Sequence, residues 1–87
     1  MYTYIIKINT VPEKNVLRLT VSNCMKDSGF SEAKVIAYEP YRSIFIVEYK
    51  EIKEADKLIS RLQKVKENLG DICQSIHVFI VSNELEI

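Results

Sequence analysis

The chain of 87 residues has no tryptophan, two glycines, two prolines, two cysteines and one histidine, and its 12 basic residues balance its 12 acidic ones. Each shortage removes a class of protein. Gly29 and Gly70 both stand where helices would end, so nothing is left for a glycine-rich loop that cradles phosphate. Cys24 and Cys73 are too few for the disulfide framework of a small secreted domain, and the expected setting is a reducing cytoplasm. With no net charge, no long-range field draws the chain toward nucleic acid or an anionic membrane. No apolar run comes near the roughly 18 residues that cross a bilayer. The start, Met1 to Tyr4, has neither the basic flank nor the cleavage site of a signal peptide.

What remains is an ordinary globular composition, 47% hydrophobic and 28% charged, far from the signature of disorder. The length suits one hydrophobic core, so a single domain over residues 1–87 is expected, with 82–87 as a frayed tail. A domain of this size buries only about 60% of the surface of its unfolded chain, and association would add to its stability.

Tyr2 to Asn9 is aromatic or β-branched apart from Lys7 and reads as a first strand. Thr10 stands three residues before Glu13, a capping-box spacing that tolerates Pro12 in the first turn and predicts a helix from that point. Val16, Leu17, Val21, Cys24 and Met25 share one side of it, and Gly29 closes it. Ala33 to Tyr38 and Ser43 to Tyr49 form a hairpin around Pro40. Ala55, Leu58, Ile59, Leu62, Val65 and Leu69 mark a second helix that Gly70 ends, and Ile76 to Ser82 is the last strand.

Strand, helix, hairpin, helix, strand is the split βαβ pattern. It predicts an α+β ferredoxin-like sandwich, a four-stranded antiparallel sheet in the order 4-1-3-2 with two helices on one face. Alternation along each strand then sorts the side chains. Tyr4, Ile6, Ile8, Val35, Ala37, Phe45, Val47, Tyr49, Ile76, Val78 and Ile80 are expected toward the helices. Ile5, Ile36, Tyr38, Ile44, Ile46, Phe79 and Val81 are expected on the open face as one apolar patch, rimmed by Lys7, Lys34, Glu48 and His77. Uncovered apolar patches of more than a few hundred Å² mark binding surfaces. The expected partner is a protein, first a second copy of the chain in a homodimer or otherwise a larger assembly, in a noncatalytic, regulatory or inhibitory role.

Two other readings compete. Arg42-Ser43-Ile44-Phe45-Ile46-Val47-Glu48-Tyr49, followed by Glu54-Ala55-Asp56-Lys57-Leu58-Ile59, resembles the corresponding part of RNA-recognition-motif domains, and the likeness extends over about half the chain. It implies the same fold and, in that family, bases stacked on aromatic residues of the two central strands. The matching positions here are Ile5, Ile44 and Ile46, which cannot stack bases, so the resemblance bears on fold more than on nucleic-acid binding. The other competitor is a dimeric α+β barrel enzyme or ligand-binding protein, with His77 or Tyr38 lining a cavity between subunits.

The remaining candidates for chemistry read as structural. Four residues of strand put Cys73 and His77 roughly 13 Å apart, too far to share a metal or a proton. Cys24 is expected in the core and Cys73 in a loop at the opposite end of the sheet, beyond disulfide reach. Lys53, Lys57, Arg61 and Lys64 form a solvated basic ridge, and Glu48, Glu51 and Glu54 are expected to face water. No catalytic residue, metal site or cofactor is expected.

Overall fold

The computed structural model describes residues 2–39, 43–53 and 56–81. Strand β1 runs Tyr2–Thr10, helix α1 Arg18–Asp27, strand β2 Lys34–Tyr38, strand β3 Ile44–Glu51, helix α2 Leu58–Leu69 and strand β4 Cys73–Val81, with 3-10 turns at Pro12–Lys14 and Gly70–Ile72. The four strands make one antiparallel sheet in the order β2-β3-β1-β4, the expected order read from the other edge. The tail at 82–87, Ala55, Pro40 and Glu54 lie outside the described residues.

Alternation decides the layering. Tyr4, Ile6 and Ile8 of β1 and Phe45, Val47 and Tyr49 of β3 are buried, while the residues between them are only half-buried. Against that face pack Val21, Cys24 and Met25 of α1 and Leu62, Val65 and Leu69 of α2, in one core with Phe30. Ile76 and Val78, in register with Ile8 and Ile6, pack on its margin, as their parity required. Among the described residues no helix is long and apolar enough to cross a membrane.

The first helix starts later than its capping-box spacing predicts. Thr10 is a buried strand residue whose N–H donates to the Ser43 carbonyl at 2.8 Å, in register with Cys73. Pairing on both sides outweighs a local cap. The chain then turns through Pro12–Lys14, passes Asn15 in the left-handed region and enters α1 only at Arg18, which leaves Leu17 54% exposed. At the other end Gly29, at φ +96°, lets the chain leave α1 toward Phe30.

Strand β2 holds a bulge. Val35 is in register with Val47, but Ala37 is in register with Ile46 and Tyr38 with Phe45, so Ile36 is the extra residue. One extra residue reverses parity beyond it. Tyr38 therefore lies on the helix side, its ring 6.1 Å from that of Phe45 and tilted by 17°. Ala37 takes the open-face position beside Ile46. The expected placement of these two residues is thus corrected.

Candidate functional site

The registers lay out the open face row by row, from β2 to β4. Lys50, Thr3 and Val81 form one row; Lys34, Glu48, Ile5 and Phe79 the next; then Ala37, Ile46, Lys7 and His77; then Ile44, Asn9 and Ser75. Tyr38 has left this face and Ile36 sits at the bulge, 53% exposed. Lys7 and Glu48 were expected on the rim. Both belong to central strands, so they interrupt the face from within, and Asn9 donates to the Ser75 hydroxyl at 2.9 Å below them. With Glu32, the Lys34, Glu48 and Lys50 side chains line a charged depression on the β2–β3 side.

The apolar residues therefore separate. Ile44, Ile46 and Ala37 occupy one corner, and Ile5, Phe79 and Val81 the other, joined only across the Ile5–Ile46 diagonal. Ile5, Ile44 and Ile46 are half-buried by their neighbours. At β4, Phe79 is 57% and Val81 48% exposed on the open face and Ile80 is 62% exposed on the helix side, while at the β2 margin Ile36 and Tyr38 are exposed to a similar degree. Helix α2 covers Ile76 and Val78 only in part, leaving a groove bounded by Ile59, Leu62, Gln63 and Lys66. From Cys73 to Val81 there is no aspartate, glutamate, lysine or arginine. His77 itself is exposed, in register with Lys7.

A second feature, inside the fold, was not expected from the sequence. Arg61 belongs to the supposed solvated ridge of α2, yet its guanidinium lies 4.6 Å from the centre of the Phe30 ring and 5.5 Å from that of Tyr49. One nitrogen donates to the Gly29 carbonyl at 3.1 Å and another pairs with Glu51 at 3.1 Å. The Tyr49 hydroxyl donates to the same Glu51 oxygen, and the Phe30 ring meets Tyr49 edge-on at 4.9 Å. This hydrogen bond is the chief influence holding the Glu51 carboxyl below its ordinary range; desolvation opposes it and Arg61 reinforces it. Burial, and then the bond to Glu51, pushes the Tyr49 hydroxyl up. Glu51 is thus a half-buried ion-pair partner and not the fully water-facing carboxylate of the sequence reading. The group ties the end of β3 to α2 and to the loop after α1, with the Arg61 Nε buried and left without a hydrogen-bond partner among the described residues.

Cys24 lies in the core as expected, but Cys73 differs from expectation. Cys73 is a strand residue, half-buried against the core, and not a loop thiol. It stands on the helix side of the sheet in register with Thr10, and near enough to Cys24 for its charge to add to the upward push on that thiol. Both are free. The Cys24 thiol donates to the Val65 carbonyl at 3.5 Å. Burial pushes both thiols up, with Lys66 opposing it at Cys73. Among the described residues no three His, Cys, Asp or Glu side chains gather as a metal site would need.

Comparison with known proteins finds no family model, no curated protein and no solved structure that matches the chain.

Proposed function

We propose that this chain is a small noncatalytic protein-interaction module in a ferredoxin-like βαββαβ arrangement, which binds protein through the apolar end of its sheet. The element order and strand order support the arrangement. One observation carries the function: Phe79, in register with Ile5 and next but one to Val81, leaves more than half of a large aromatic side chain in water. Covering that side chain and its neighbours would contribute at about 25 cal/mol per Å² of apolar surface. A protein surface of like shape supplies such a cover, whereas a nucleic acid is drawn by net positive charge, and the chain as a whole has none. A role as a regulatory or inhibitory subunit in the cytoplasm is the biological form this reading takes.

The test is affinity capture from extract of the source cells with wild-type protein and with Phe79→Lys. Because Phe79 is exposed, the variant keeps its far-ultraviolet circular dichroism. Polypeptides retained by wild type and lost with Phe79→Lys, further copies of the chain included, would support the reading. Equal recovery on both overturns it.

A further inference from the structure

The two margins of the sheet differ. Strand β2 has five residues, a bulge at its centre and Lys34 at its start, all devices that discourage another strand from pairing. Strand β4 has nine residues and no lysine, glutamate or proline, and its only irregularity lies at the Cys73 end, leaving Ser75 to Val81 regular. A long outer strand in regular register, without lysine, glutamate or proline, is a template for strand addition.

We infer that β4 is a self-pairing edge, at which two copies of this chain join antiparallel about a two-fold axis through Val78, making one continuous sheet of eight strands. This rests on the interaction reading above and names its partner and geometry. The strand's own pattern selects a second copy. With Val78 opposite Val78 of the partner subunit, Ile76 meets Ile80 of the partner subunit on the helix side, and His77 meets Phe79 of the partner subunit on the open face. No charged residue stands opposite a like charge, and the formal charge of zero gives two copies no net repulsion.

An antiparallel pair related by an axis normal to the sheet keeps both helix layers on one side. The α2 helices of the two copies then flank the junction, and the groove of Ile59, Leu62, Gln63 and Lys66 over Ile76 and Val78 is closed from outside. Ile80 and Ile59, each 62% exposed in the single chain, lie along that seam. Seven paired residues span about 24 Å, and with the helix layer the contact is on the order of 500 Å² per copy, near the lower end for a specific interface. Association in the micromolar range is the expected consequence.

Sedimentation equilibrium of the purified chain alone, from micromolar to millimolar concentration, tests this with two variants. Wild type is expected to dimerise. Ile80→Lys, at an exposed position that the fold tolerates, is expected to weaken the dimer about a hundredfold, because symmetry makes each substitution count twice. Ile46→Lys, on the inner part of the open face, is expected to change it less than about twofold. Amide exchange supplies a check without mutation: amides of residues 75–81 should slow as concentration rises while those of Lys34–Tyr38 do not. A wild-type monomer throughout overturns self-pairing even where Phe79→Lys abolishes capture of other proteins. A dimer that survives Ile80→Lys and dissociates in Ile46→Lys overturns it in favour of face-to-face packing.

Discussion

Replacing Arg61 by alanine removes four contacts at once, and their sum can be worked from the geometry. The two ring contacts, at 4.6 and 5.5 Å, are worth about 0.5–1 kcal/mol each at a partly exposed site. The bond from the guanidinium to the Gly29 carbonyl, 3.1 Å long and involving a charged donor, adds about 1–2 kcal/mol. The ion pair with Glu51 is worth about 0.2–1 kcal/mol, since the side chains keep 22% and 25% of their surface in water. Arg61→Ala should therefore destabilise by about 3 kcal/mol, a large share of the roughly 5–15 kcal/mol of a small domain. Arg61→Lys keeps the charge but not the planar fork and should recover less than half.

The assay is urea unfolding followed by circular dichroism at one fixed low concentration, so that association does not enter. Acid separates the contributions. The Glu51 carboxyl titrates lower in the folded chain than its ordinary 4.5, so its contribution is present above that value and lost as pH falls through the folded pKa. At pH 3 the Arg61→Ala penalty should shrink by no more than about a third, because the rings and the carbonyl do not titrate. A penalty below about 0.5 kcal/mol at neutral pH, or one that vanishes entirely in acid, would refute the assignment of Arg61 as a clamp held mainly by rings and carbonyl.

Three further outcomes follow from the same contacts and burial. Gly29→Ala should cost about 1–2 kcal/mol in the same unfolding assay, since it places a side chain at φ +96° with its Cβ 3.2 Å from the Arg61 Cδ; an unchanged midpoint would contradict this. Cys24 and Cys73 should react slowly with a disulfide reagent at neutral pH and quickly once urea unfolds the chain. Because both thiols titrate higher when folded, their contribution to stability is full below 9.0 and declines as pH rises through the folded values; a stability that climbs above that pH would contradict the burial.

Much of the architecture was legible because it depends on short-range periodicity. Tyr4, Ile6 and Ile8, like Phe45, Val47 and Tyr49, declare their face by alternation alone, and Ile76 and Val78 follow once β1 is oriented. Nothing within Lys34–Tyr38 announces that Ile36 will be skipped, because a bulge is settled by which β3 residue each β2 residue meets. Tyr38 was misplaced for that reason alone. Thr10 had both a capping spacing and a strand-like neighbourhood, and the competition was decided by partners at Ser43 and Cys73, far away in sequence. Arg61 read as one cation among several on a helix. Its distinction, two aromatic rings and a glycine carbonyl converging on it, exists only after α2 packs against the end of β3. The candidate site was half visible: Phe79, Val81 and Ile5 were named, whereas Lys7 and Glu48 lie within the face because strand order carries central-strand residues to its middle.

The contrast between the guarded β2 margin and the bare β4 margin also limits how far assembly can go. A tile with two receptive sides stacks without end, as fibrils do. A tile with one would be used up on meeting its twin, and the outer borders of the proposed pair would then both be the bulged, lysine-bearing strand that discourages a third.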